Sequence, residues 1–243
     1  MQSFRPTGFR ILPVVVKNLL IINGLFFLAM LTFQSAFQLD LSKYLGLHYI
    51  ASENFSPFQF VTYMFMHGGM GHIFFNMFAL WMFGKTLEEV WGPKRFLTYY
   101  LITGIGAAVI QMIITYIRIQ SIESALTSDL IEVVYREGAG VLAQGMNYQN
   151  LAMGKLNLLV NTTTVGASGA VFGLLLGFGM LFPNAVIYLY FAIPIKAKWF
   201  VIIYGAIELY SGIANNPSDN VAHFAHLGGM IFGFFLIKYW KRN

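Results

Sequence analysis

Long apolar runs separated by short polar stretches organise this chain. Six are read along it, at roughly 18–37, 64–84, 96–117, 163–182, 199–213 and 221–240. A helix that crosses a bilayer needs about 20 predominantly apolar residues, so each run predicts such a helix. The fifth is short and carries Glu208, and its flanks extend it. The first is longer than the apolar region of a cleaved signal peptide and has no clear small-x-small site after it, so it reads as a retained helix.

Two polar excursions interrupt the series, at about 38–63 and 118–162. In the first, Pro57 follows Ser56 and precedes apolar residues, which predicts that it opens the second helical segment. The second is long for a loop in a compact domain. Its middle, Thr127 to Val141, mixes Leu130, Ile131, Val133 and Val134 with charges, which predicts a surface-lying helix interrupted at Gly138 and Gly140. The whole chain, 1–243, reads as a single membrane domain without internal repeats.

Composition agrees with lipid as the solvent: 57% of residues are hydrophobic and only 10% charged, against about a quarter charged in soluble domains. There is no cysteine, and so no thiol or disulfide chemistry. The formal net charge of +5 would suggest nucleic acid, but its distribution does not. With six spans, Arg5, Arg10, Lys17, Lys85, Lys94, Arg95, Lys196, Lys198, Lys238, Lys241 and Arg242 fall on one side. The positive-inside rule places that side in the cytoplasm, with both termini. Lys43, Arg118, Arg136 and Lys155 are left opposite, with most of the acids: Asp40, Glu53, Glu123, Asp129, Glu132, Glu137 and Asp219. The basic charge is therefore a topology signal, and no nucleic-acid partner is expected.

Strongly polar groups inside a span are costly unless paired or wet, which makes them functional candidates. They are His67, His72 and Asn76 in the second run, Ser168 in the fourth, Glu208 in the fifth, and His223 and His226 in the sixth. Reckoned from the run edges, Ser168 and His226 each lie roughly 7–8 Å below the outer face, and His72 roughly 12 Å. Gly166, Ala170, Gly173 and Gly177 form a small-residue stripe on span four, and Gly229 and Gly233 continue one from His226 on span six. Such stripes let helices approach closely in lipid, and packing these two together would bring Ser168 towards His226. Each feature alone has a structural reading; the combination is harder to explain that way.

The chemistry these residues offer is nucleophilic. A serine hydroxyl needs a base to take its proton, and a neutral imidazole can do so and then protonate a leaving amine. Ser168 stands near a helix start, whose free N–H groups can stabilise an oxyanion. Asn76 and His72 are further donors on one helix face. Gly166 and Gly169 leave room for a substrate backbone. No acid stands near His226 within its own span. Glu208 reads as a structural or gating partner ahead of a catalytic orienter.

These segments resemble the rhomboid proteases. His67-Gly68-Gly69-Met70-Gly71-His72-Ile73-Phe74-Phe75-Asn76 is similar to their second-helix signature, and Gly166-Ala167-Ser168-Gly169 to their nucleophile motif. Ala225-His226-Leu227-Gly228-Gly229, followed by Gly233, resembles their histidine motif. Leu87-Glu88, Trp91-Gly92 and Arg95-Phe96 resemble the link between helices two and three. The likeness runs in family order from about Pro57 to Gly233. It implies an all-α, six-transmembrane-helix bundle and a Ser168–His226 dyad. It also implies that His72 and Asn76 join the Ser168 N–H at the oxyanion, and that span five is a lateral gate. Phe172 stands where the family often has a stacking tyrosine, and the Trp-Arg pair common in the family's first loop is missing. The substrates expected are single-span membrane proteins in a lipid bilayer, with no cofactor and no metal. A compact six-helix plan suggests a bacterial inner membrane. The sequence implies no particular oligomeric state.

Three rivals are weighed. A catalytically silent relative would bind helices without cutting, but such relatives typically lack the serine or histidine, and this chain has both. A transporter would line a path with His67, His72, His223, Asn76 and Glu208, yet no inverted repeat supports it. A zinc enzyme has two His pairs to draw on, but no His-Glu-x-x-His motif and no clear further ligand beside either pair.

Overall fold

The computed structural model describes residues 12–189, 192–214 and 221–242. Arg5, Arg10 and Asp219, which enter the topology reading, lie outside the described residues. In chain order the helices are α1 (Val14–Phe37), α2 (Ser42–Leu45), α3 (Gln59–Thr62), α4 (Met70–Trp91) and α5 (Pro93–Glu123). They continue as α6 (Ser128–Ala143), α7 (Leu151–Asn161), α8 (Ser168–Leu181), α9 (Ala197–Ala214) and α10 (His223–Arg242). A single 3₁₀ turn, Tyr63–Phe65, follows α3, and a hairpin of β1 (Val186–Leu189) and β2 (Ile193–Lys196) joins α8 to α9.

This is an all-α membrane protein in outline. Helices α1, α5 and α9 are long and apolar enough to cross a bilayer. Of the helices that carry the polar candidates, only α9, with Glu208, is in that class. α8 is apolar but has 14 residues, while α4 and α10 interrupt their apolar surface with His, Asn and end charges.

Where the helices begin differs from the apolar runs. The second run does not form one helix, because Met66–Gly69 breaks it and Gly69, at φ 155°, precedes α4. Pro57 precedes only the short α3 and the 3₁₀ turn. The fourth run starts as extended chain, and its helix begins only at Ser168. The hairpin was hidden inside apolar sequence: Val186, Ile187 and Tyr188 suit a strand, but periodicity cannot separate four such residues from the adjoining helix.

The second excursion is a small packed layer. α6 runs through Gly138 and Gly140 without interruption, and Gly138 is where α7 comes close, since a side chain there would collide with the Asn157 amide. Asn150 caps α7, its side-chain oxygen accepting from the N–H groups of Ala152 and Met153 at 2.9 and 3.2 Å. Ile119, Val134, Met153, Leu156 and Val160 close a core of their own with Tyr49. Burial, reinforced by the neighbouring Glu123 carboxylate that accepts its hydroxyl at 2.9 Å, pushes the Tyr135 phenol well above its ordinary range.

One end of the bundle is tied by the motif around Glu88. Its buried carboxylate accepts the N–H groups of Val15 and Val16 at 2.9 and 2.8 Å, satisfying donors that the start of α1 leaves open. Trp91 packs on Tyr99 and Trp240, and Arg95 lies 4.6 Å over the Trp240 ring. The start of α1, the end of α4, the start of α5 and the end of α10 thus share one end. Lys17, Lys94, Arg95, Lys238 and Lys241 belong to these helix ends.

Candidate functional site

The opposite ends of α4, α8 and α10 converge. Ser168 is the first residue of α8, His72 the third of α4, and His226 the fourth of α10. Each of these residues lies in a first turn, nearer to its helix start than to the edge of its apolar run. The convergence itself is present.

The segment before Ser168 is held from two directions. Thr164 forms a bridge with Leu47 of the first loop, with mutual backbone bonds of 2.9 Å. Gly166 N–H donates to the Tyr63 carbonyl at 2.9 Å, and the Tyr63 hydroxyl donates to the Gly104 carbonyl at 2.7 Å. The loop is pinned in turn by the buried Gln59 side chain, which accepts from His48 N–H and donates to the Tyr44 and Asn54 carbonyls. Gly166 has φ 125°, a conformation that L side chains rarely adopt. A Cβ there would stand 2.7 Å from Cε1 and Nε2 of His72. The absence of a side chain at 166 is what lets the His72 ring lie against the nucleophile loop.

The small-residue stripes pack differently from expectation. Gly166 lies before the helix, and Gly173 and Gly177 face Thr103, Tyr99 and Trp91 of α4 and α5 rather than α10. Gly233 of α10 also faces Tyr99 and Thr103. The close approach of α8 to α10 is made instead by Gly169, whose carbonyl occupies the space a Gly229 side chain would need. Tyr99 hydroxyl donates to the Gly173 carbonyl at 2.8 Å. α5 is therefore the post against which both helices stand.

At this crossing Ser168 Oγ and His226 Nε2 are 2.8 Å apart. Phe172, one turn along α8, stacks on the His226 ring with centroids 4.2 Å apart and planes within 6°. His226 is buried. Its other ring nitrogen, Nδ1, is 2.8 Å from Oε2 of Glu208, and His223 Nδ1 is 2.7 Å from the same oxygen. The acid that sequence reading could not find beside His226 comes from α9. The readable signal was the pairing of a lone acid in an apolar helix with two histidines three residues apart.

His72 and Asn76 line the α4 side. Gly68 N–H donates to His72 Nδ1 at 3.2 Å, which leaves Nε2 as the protonated nitrogen of the neutral ring, beside Gly166. The Asn76 amide donates to the His72 carbonyl at 2.9 Å, so part of its donor capacity is spent within α4. In α8, Val171 N–H is the first to find a backbone acceptor, Ala167 O at 3.0 Å; the amides of Ser168 to Ala170 make no backbone bond among the described residues. His67 stands edge-on to His72, with centroids 5.2 Å apart.

The arrangement can deprotonate a serine and offers donors where an oxyanion would form. It also bears on the rivals. The residues that a transport path would need, His67, His72, Asn76, Glu208 and His223, gather beside Ser168 and His226 rather than along a path through the bundle. Ligand atoms of Glu208, His223 and His226 lie within 4.8 Å of one another and are of a kind that could hold a metal ion, which gives the His pair of α10 the third ligand that the sequence reading lacked.

Comparison with known proteins adds the family. The rhomboid domain model matches residues 54–242. RHOMBOID-like protein 12, mitochondrial, of Arabidopsis thaliana is 28% identical over 169 residues, 70% of this chain and 42% of that protein. Rhomboid protein 1, mitochondrial, of Saccharomyces cerevisiae is 26% identical over 169 residues, 70% of this chain and 38% of that protein. Rhomboid protease GluP of Bacillus subtilis is 39% identical over 49 residues, 20% of this chain and 10% of that protein. The chain thus spans less than half the length of these relatives. The two that match 70% of this chain are named as mitochondrial proteins, which overturns the expectation of a bacterial inner membrane. A multi-pass membrane location stands.

Proposed function

This chain belongs to the rhomboid family, and on that premise we propose that it is an intramembrane serine endopeptidase that cleaves single-span membrane proteins. The observation that carries the reading is the 2.8 Å approach of Ser168 Oγ to His226 Nε2 across two different helices. A relative from Bacillus subtilis is named a protease, and the mitochondrial names of the longer matches favour an organellar membrane.

In this reading His226 Nε2 takes the Ser168 proton as Oγ attacks the scissile carbonyl carbon. The carbonyl oxygen gains the negative charge. The Ser168 amide, His72 Nε2–H and the free N–H of the Asn76 amide are its donors, aimed at charge that exists only in the transition state. His226 then gives the proton to the leaving amine, and water repeats the sequence on the acyl-enzyme. Six spans with both termini on the cytoplasmic side complete the proposal, with the site opposite the basic end of the bundle.

The test is cleavage of a panel of single-span substrates by the full chain in liposomes, with labelling by a serine-directed phosphonate. Wild type is expected to cut and to label at Ser168, while Ser168→Ala and His226→Ala do neither. Equal cutting by Ser168→Ala would remove the assigned nucleophile. Stable binding of the same substrates, with neither cleavage nor labelling, would favour the silent helix-binding relative.

A further inference from the structure

Glu208 is the ionisable residue in the middle of an otherwise apolar helix, α9, and it is 8% exposed. A carboxylate in such a place is tolerated only when its charge is met by donors. α10 supplies two, one helical turn apart: His223 Nδ1 at 2.7 Å and His226 Nδ1 at 2.8 Å, both on Oε2. His226 has no freedom left over. Nδ1 is held by Glu208, Nε2 by Ser168, and the ring plane by Phe172.

The contact also decides where the ring proton is. An ionised carboxylate only accepts, so the nitrogen facing it carries the hydrogen. Nε2 of the neutral ring is then the lone-pair nitrogen, and it is the one that faces Ser168. With the opposite tautomer, Nε2 would carry a hydrogen and could take no proton from serine.

Building on the protease reading, we propose that Glu208 is a positioning residue of the site: it fixes the tautomer and orientation of His226, and His223 holds its carboxylate in place. When Oγ attacks, the serine proton moves to Nε2 and the ring becomes a cation. Glu208 keeps its negative charge throughout and faces that cation from the other side. The proton leaves from Nε2 to the departing amine, and the ring returns to its starting tautomer. This positioning carboxylate comes from α9 rather than from either helix of the dyad.

The experiment uses the full chain in liposomes with a substrate that wild type cleaves, and compares kcat, KM and the rate of phosphonate labelling at Ser168. Glu208→Gln keeps the side-chain shape and an accepting oxygen but loses the charge and can present either end to His226. It is expected to lower kcat and the labelling rate by about 10²-fold or more, with KM within about 2-fold of wild type. Glu208→Asp is expected to recover part of the loss, and His223→Ala to lower kcat by only several-fold. Thermal unfolding of each variant separates these effects from loss of folded protein. Should wild type cut while Glu208→Gln cuts and labels equally fast, the positioning role falls and the dyad stands. Should the loss instead follow the unfolded fraction, with Glu208→Asp no better than Gln, the residue is structural and the inference is wrong. Stoichiometric zinc in active wild type, with activity lost on chelation, would also overturn it, since a metal on Nδ1 displaces the proton the relay requires. If wild type neither cuts nor labels, the protease reading fails and this inference with it.

Discussion

Gly169 and Gly229 meet backbone to backbone, the carbonyl of one filling the position where a side chain of the other would stand. Lipid gives helices little hydrophobic reason to associate, so close packing of small residues carries much of the association. Here the contact lies one residue past Ser168 and three past His226. It therefore sets the distance across which the serine and histidine meet.

A methyl group at 229 is expected to force α8 and α10 apart. Overpacking of a close contact costs about 1–3 kcal/mol, but the larger effect falls on geometry, because a misplacement of about 1 Å can lower a rate by roughly 10²-fold. Gly229→Ala is expected to lose about that much activity on single-span substrates while remaining a folded membrane protein. Parallel measurements of cleavage rate and thermal unfolding check this. A variant of wild-type activity would show that the crossing does not set the Ser168–His226 distance.

Gly166 tests the part played by His72. Its φ of 125° and the His72 ring 2.7 Å from an added Cβ mean that Gly166→Ala both strains the loop and displaces His72. The strain is about 1–3 kcal/mol. If His72 donates to the oxyanion, kcat is expected to fall by about 10- to 10²-fold with KM little changed. A rise in KM at constant kcat would instead assign His72 to substrate binding.

Several of these relations could be read from sequence and several could not. Ser168, His226, His72 and Asn76 were found because polar groups are conspicuous in apolar runs, and the structure brings them to one end of the bundle. The partner of each glycine was not legible. Residue spacing gives a helix face but not which neighbour faces it, and Gly173 and Gly233 turn to Tyr99 and Thr103 of α5. Helix starts were misplaced for a related reason. Hydrophobic content continues through Met64–Met66 and Val165, while the backbone there is already a 3₁₀ turn ending in extended Met66, or extended chain beside the Leu47–Thr164 bridge. Glu208 was visible as an expensive residue, but its partnership with His226 joins positions 18 residues apart on different helices.

Glu88 predicts an effect on stability without one on chemistry. Its two oxygens accept the Val15 and Val16 N–H groups at the end of the bundle remote from Ser168. Hydrogen bonds to a charged group contribute about 1.5–3 kcal/mol, and removing the acceptor leaves the start of α1 unsatisfied. Glu88→Ala is expected to lower the thermal midpoint in detergent by several degrees, while the folded fraction keeps its kcat. Loss of kcat at full folding would place α1 in communication with the site.

Phe172 tests the stacking of the base. Its ring is parallel to His226 at 4.2 Å, and such a contact contributes about 0.5–1.5 kcal/mol beyond the area it buries. The family's frequent tyrosine at this place keeps the same ring face, so Phe172→Tyr is expected to cut within about 2-fold of wild type. Phe172→Ala removes the platform that fixes the imidazole plane and opens space beside it. Converted at 1.4 kcal/mol per factor of ten, the lost stacking alone corresponds to about a 2- to 10-fold fall in kcat. Combining it with Glu208→Gln checks whether the two act on one ring. If both serve to hold His226, the double variant is expected to fall less than the product of the single losses, as groups acting as a unit do. Independent, multiplicative losses would mean that stacking and carboxylate serve different steps.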